Sequence, residues 1–175
     1  MVNWKREIVI AHLIKQKTSE LDVNRLWEYP FPEVAASEGS VIFVEQKIGF
    51  SLDKSHREFL LHADGWKSFW HAADILGTSD FLGGRLYDYA TDLLKSLENL
   101  SAICGFQRSE LLPIAVSTNS IDLFAISTSN SHRPGVVFWF AGQLIEEFKN
   151  FEEWFLSMVD YNRFEYQQFE KEANS

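Results

Sequence analysis

Glu45-Gln-Lys-Ile-Gly-Phe-Ser-Leu-Asp-Lys-Ser-His-Arg-Glu-Phe-Leu-Leu-His-Ala-Asp-Gly-Trp66 is the stretch on which the architecture of this chain turns. It reads as the end of one helix at Ile48, a stop at Gly49, a hydrophobic corner of Phe50 and Leu52, and a second helix opened by Ser51 or Asp53. His56, Phe59, Leu60 and Ala63 recur at steps of three and four, which gives the second helix one apolar face, while Lys54, Arg57 and Glu58 stay wet. Gly65 closes it, and both glycines stand where a residue past a helix end takes positive φ. The reading is of two helices joined by a short, defined corner.

Upstream, residues 3–17 mix Trp4, Ile8, Leu13 and Ile14 with Lys5, Arg6, Glu7, Lys15 and Lys17, the pattern of an amphipathic docking helix. Pro30 and Pro32 flank Phe31 and forbid helix, so Leu21 to Pro32 is an extended connector. Ser37 or Ser40 caps the helix that leads to Gly49.

Downstream, Trp66 to Leu76 is dense in aromatic residues without a helical stripe and suits one strand or two short ones. Gly77 to Gly84 is a turn-rich break, and residues 85–104 return to helical spacing through Leu86, Tyr89, Ala90, Leu93, Leu94, Leu97 and Leu100, ending at Gly105. Apolar runs at 112–117, 121–127 and 136–140 follow at intervals too short for parallel crossovers, so these strands are antiparallel. Gly142 makes a hairpin back through Leu144, Ile145 and Phe148. Asn150 then caps a C-terminal helix whose Phe151, Trp154, Phe155, Met158 and Val159 cover the sheet. The expectation is an α+β fold over 1–175: N-terminal helices, a central, mainly antiparallel sheet, and a C-terminal helix packed on it.

Composition narrows the function classes. With 175 residues, 46% of them hydrophobic and 15% aromatic, the chain is long enough for a substantial core. Its net charge of −9 and isoelectric point near 5.0 argue against a binder of nucleic-acid phosphates, which needs clustered cations. A lone Cys104 permits no internal disulfide and fits a reducing compartment. The first residues are too polar for an export signal, and no apolar run reaches the roughly 20 residues of a bilayer span. A cytoplasmic protein is expected.

The order of segments resembles a known family. The helix ending Glu45-Gln-Lys-Ile-Gly-Phe, the corner Ser-Leu-Asp, His56-Arg-Glu-Phe-Leu-Leu and Ala-Asp-Gly65 are similar to the signature of the SUKH superfamily. Leu112-Pro-Ile-Ala, a strand pair around Asp122, Val136-Val-Phe-Trp and Phe148-Lys-Asn-Phe-Glu-Glu-Trp-Phe-Leu look like its second half, so the likeness covers about residues 34–160. The family commonly has proline after the corner leucine, an aromatic residue where His56 stands and asparagine where Asp64 stands. It includes the fungal cell-wall assembly regulator and many bacterial toxin-immunity proteins. The resemblance therefore implies a binding protein: an immunity protein against a cognate toxin or, as the alternative, a regulatory scaffold.

His62, Asp64, His71 and Asp74 are the one His/Asp cluster, but their spacing matches no metal-ligand signature; they carry the remaining alternative, an enzyme of unrecognised type. Cys104 near a helix end reads as a small buried hydrophobe rather than a nucleophile. Nucleophile-elbow, zinc-protease, dinucleotide and phosphate-loop motifs are absent from the sequence, so no catalytic residue, metal ligand or cofactor is assigned.

Charge and aromatic content are uneven along the chain. From Glu146 onward eight acidic side chains face three basic ones, a local charge of −5, and Tyr161, Phe164, Tyr166 and Phe169 persist in what would otherwise be a solvated tail. Two candidate partner-binding sets follow: Asp64, Trp66, Trp70 and Asp74, and Glu146, Glu147, Glu152, Glu153, Tyr161 and Phe164. The expected partner is a protein with a basic surface, a toxin such as a nuclease, or a second copy forming a homodimer; nucleic acid and membrane are not expected.

Overall fold

The computed structural model describes residues 2–174. Helix α1 (Trp4–Leu21) is capped by the Asn3 side chain and buries Trp4, Ile8, Ala11 and Lys15. Helix α2 (Glu38–Ile48) is capped by Ser37 and ends at Gly49, whose φ of 86° is the left-handed geometry foreseen for it. The corner is tied by side chains as well: the Glu45 carboxylate accepts from Leu52 N at 3.0 Å, and Arg57 reaches Glu38 at 2.5 Å and Glu45 at 3.7 Å.

Helix α3 (Lys54–Leu60) begins at Asp53, whose Oδ1 accepts from the N–H groups of Ser55 and His56. It ends five residues before Gly65, which corrects the expected length. The face His56, Phe59, Leu60 and Ala63 is nonetheless fully buried, because a turn carries Ala63 inward. Gly65 is required for a different reason. With φ 93°, a Cβ there would lie 2.8 Å from the Ile75 carbonyl oxygen and 2.9 Å from Gly77 N.

Six strands, β1 (Trp66–Trp70), β2 (Ala73–Ile75), β3 (Leu111–Ser117), β4 (Asp122–Ser127), β5 (Val137–Ala141) and β6 (Leu144–Phe148), form one antiparallel meander in sequence order. Every residue of β3 is buried, so both faces of the sheet are covered. Helix α7 (Phe151–Ala173) covers one face, with Trp154 against Phe124 at 5.4 Å and Phe155 stacked on Phe69 at 4.9 Å. On the other face Phe106 packs edge-on to Phe138 at 5.1 Å. Helix α1 lies along α7, Trp4 meeting Phe155 at 5.2 Å and Phe151 at 5.7 Å.

Between β2 and β3 the structure departs from the sequence reading twice. The turn-rich break contains a single helical turn, α4 (Thr78–Phe81), and the expected helix over 85–104 is two, α5 (Arg85–Ser96) and α6 (Leu100–Cys104). Leu97 and Leu100 are both buried, so the apolar stripe runs across the break and conceals it. The chain turns at Asn99, whose φ is 53°. Arg108 satisfies the freed carbonyls, donating to the oxygens of Leu94, Lys95 and Leu97 at 3.1–3.2 Å.

Candidate partner-binding face

The face begins with β1, whose backbone is forced out of regular strand geometry. Ser68 and His71 take φ of 48° and 51°, a conformation costing roughly 1–2 kcal/mol for a non-glycine residue, and the β1–β2 register shifts between Trp66 and Trp70. Three side chains hold the bulge. Lys15, 3% exposed, donates to the Ser68 carbonyl at 2.5 Å; Asp74 accepts from Ser68 N at 2.7 Å; and buried Asn162 of α7 donates to the Phe69 carbonyl at 2.9 Å. Burial pushes the Lys15 ammonium down to about 8, and the Glu165 carboxylate opposes that shift.

The bulge turns Trp70 and His71 outward into an aromatic ladder. Trp27 stacks on His71 at 4.3 Å, His71 on Trp70 at 4.5 Å, Trp70 meets Trp139 edge-on at 5.0 Å, and Trp139 meets Tyr161 at 5.9 Å. Trp27 is delivered by the 22–32 connector, which is built around Asp22. Its buried carboxylate accepts from Leu26 N, Trp27 N and the Tyr29 hydroxyl at 2.9–3.1 Å. Burial opposes its charge, but these hydrogen bonds prevail and hold the carboxyl below its ordinary range.

Beyond the ladder, Leu26, Tyr161 and Phe164 are 57%, 39% and 60% exposed and share one shallow groove with Trp70, His71 and Phe169. Its rim is acidic. Glu146 of β6 accepts from the Tyr161 hydroxyl at 3.3 Å, Asp160 pairs with Arg163, and Glu165 lies 3.0 Å from His71. Burial, and then Glu146, raise the Tyr161 phenol above its usual value. The irregular stripe past Asp160 is therefore not a tail: α7 continues unbroken to Ala173 and forms one wall of the groove.

Of the candidate residues, Trp70, Glu146, Tyr161 and Phe164 come together here. Trp66 does not. It is fully buried and its indole N–H is spent on the Pro30 carbonyl at 3.1 Å, which makes it a core residue. Asp64 and Asp74 line a separate cleft with Asp80. There Asp64 accepts from the N–H and hydroxyl of Thr78, both at 2.6 Å, and burial raises the carboxyls of Asp74 and Asp80. Glu147 pairs with Arg133 at 3.0 Å, Glu153 accepts from the backbone N–H of Lys149, and Glu152 lies beside it in the first turn of α7. Leu26, Trp27, Trp139 and Glu165 carry no sequence signal beyond the connector's two prolines, which hint at a shaped loop, and His71 stands out in the sequence only as part of the His/Asp cluster.

The His/Asp cluster does not converge on one point. His62, in the turn after α3, donates to Glu58 O; His71 faces Glu165 and shares a second cleft with Asp74, and neither histidine lines the cleft that holds Asp64 with Asp74. Among the described residues no three His, Cys, Asp or Glu side chains are placed to share an ion. Cys104 is buried, its thiol donating to the Leu100 carbonyl and pushed up by burial. No described helix is long and apolar enough to cross a membrane.

Compared with known families, residues 35–157 match the SMI1 / KNR4 family (SUKH-1). The chain belongs to this family. The matched SUKH-1 segment supplies Trp70 and Glu146, whereas Leu26, Tyr161, Phe164 and Phe169 lie outside it. Among solved structures, the chain is similar to a protein from Pseudomonas syringae pv. tomato, with 16% identity and a TM-score of 0.48, over 79% of this chain and 92% of that one. No curated protein matches it.

Proposed function

We propose that this SUKH-1 chain is an immunity protein that binds a toxin and neutralises it by covering its active site, without turnover of its own. One observation carries the reading: exposed Leu26, Tyr161 and Phe164 form an apolar groove bordered by Glu146, Asp160 and Glu165, on a chain of net charge −9. An exposed apolar patch with a charged border is the usual form of a protein-binding site. The acidic border suits a toxin whose substrate groove is basic, as a nuclease's must be, and such complementarity accelerates encounter at low salt. The proposed place of action is the cytoplasm.

The test is co-expression with the toxin encoded by the adjacent gene. Growth restored by this chain, with a complex recovered from the cells, supports the reading. Continued killing with no complex contradicts it.

A further inference from the structure

We infer that the groove between the second half of α7 and the 22–32 connector receives a basic amphipathic helix of the partner protein, about three turns long, and not a second copy of this chain. The inference rests on the binding role proposed above and specifies what is bound.

Length comes from the wall. Tyr161, Phe164, Gln168, Phe169 and Glu172 face the groove from one side of α7. They span twelve residues, eleven rises of 1.5 Å or about 16 Å, which is three turns. Leu26 stands opposite, with Trp70 and His71 lining the floor. A helix offering apolar side chains at i, i+3, i+4 and i+7 meets such a ridged wall by ordinary groove packing.

A strand is disfavoured because the backbone it would need is occupied. Three carbonyls at and just before β1 are already engaged: Gly65 O accepts from Glu33 N at 3.1 Å, Ser68 O from Lys15 and Phe69 O from Asn162. The carbonyls and amides of α7 are used within the helix. An added strand at β1 would find these acceptors already used, whereas a helix brings its backbone already paired.

Charge selects the partner. The rim carries Glu146, Asp160 and Glu165, and Arg163 beside them is engaged by Asp160. In a two-fold dimer the same patch meets itself, so this rim would face its own carboxylates across the interface. Lys or Arg flanking an apolar stripe meets the rim with opposite charge.

The probe is a labelled peptide of about 14 residues of Leu and Lys, with leucines at i, i+3, i+4, i+7 and i+11, set against a scrambled peptide of the same composition. Each is titrated by fluorescence anisotropy into the full-length protein. The patterned peptide is expected to bind about tenfold more tightly than the scrambled one, and Phe164→Ala and Leu26→Ala are each expected to weaken it by about tenfold. Phe43→Ala, an exposed position on α2, leaves binding unchanged. Equal binding of both peptides, indifference to Phe164→Ala, or sedimentation as a dimer that Phe164→Ala dissociates would overturn the inference. The two readings fail separately. If the adjacent-gene toxin binds the Phe164→Ala protein undiminished, the groove assignment is lost and the immunity role stands; if the peptides discriminate but the cells die, the reverse holds.

Discussion

The ammonium of Lys15 lies 2.5 Å from the carbonyl oxygen of Ser68, joining the first helix to the bulge of the first strand across 53 residues of sequence. Lys15 also stands 5.2 Å from the centre of the Tyr29 ring, so one buried cation touches both the bulge and the connector that frame the groove. Lys15→Ala leaves that carbonyl unsatisfied and a cavity beside it, and is expected to cost about 2–4 kcal/mol in urea unfolding.

The same lysine gives a pH signature. Its proton leaves the folded chain near pH 8 but the unfolded chain only near 10.5, so in between the unfolded state holds the extra proton and stability rises with pH. Wild type measured against Lys15→Met between pH 8 and 9.5 should show this rise in the wild type alone, by at most about 1.4 kcal/mol per pH unit.

His56 is fully buried between Phe151 and Phe81, and neither ring nitrogen has a hydrogen-bond partner. Burial pushes its pKa down to about 3, so the folded state keeps it neutral while the unfolded state protonates it below 6.5. Stability must therefore fall as pH drops from 6.5 toward 3, by up to about 1.4 kcal/mol per unit. His56→Phe removes this acid lability and the two orphan nitrogens together. Thermal melts at pH 7 and pH 5 should show the variant gaining most at pH 5; an equal change at both would refute the assignment.

Gly49 and Gly65 both take positive φ, yet their surroundings differ. A Cβ at Gly49 meets nothing within 4 Å, whereas one at Gly65 meets backbone at 2.8 and 2.9 Å. Gly49→Ala should cost only the conformational penalty of about 1 kcal/mol, and Gly65→Ala about 3 kcal/mol or more, since the β1–β2 hairpin must shift. Equilibrium denaturation of the two variants side by side decides it.

These glycines also mark how far the sequence could be read. Gly49 was legible because it ends a helix, a local event with a local signal. The need for glycine at position 65 comes from a strand that returns ten residues later, which periodicity does not encode. The meander β3–β6 and the Asn150 cap were legible for the same reason as Gly49: strand length, short links and capping chemistry are all local. The split of α5 from α6 was not, since Leu97 and Leu100 keep the stripe intact and Arg108 supplies the cap from further along. The face was half legible. Tyr161 and Phe164 stood out as aromatic residues amid carboxylates, but Trp66 could not be told from Trp70, because the bulge that separates a buried indole from an outward one is held by Lys15 and Asn162 from distant helices.

The Asp22 carboxylate offers a way to loosen the groove without touching its lining. Asp22→Ala removes acceptors from Leu26 N, Trp27 N and the Tyr29 hydroxyl, and should cost about 1–3 kcal/mol. Limited proteolysis should then cut within 22–32 before the rest of the chain.

The central claim is that the Leu26, Tyr161 and Phe164 groove, with its acidic rim, is where the partner binds. Isothermal titration of the purified chain with the toxin proposed as its partner, wild type against the Tyr161→Ala, Phe164→Ala double variant, measures this directly. The predicted result is a tight complex weakened about 100-fold or more in the double variant, and weakened further in both proteins as salt is raised. An affinity that the double variant leaves unchanged would contradict the claim.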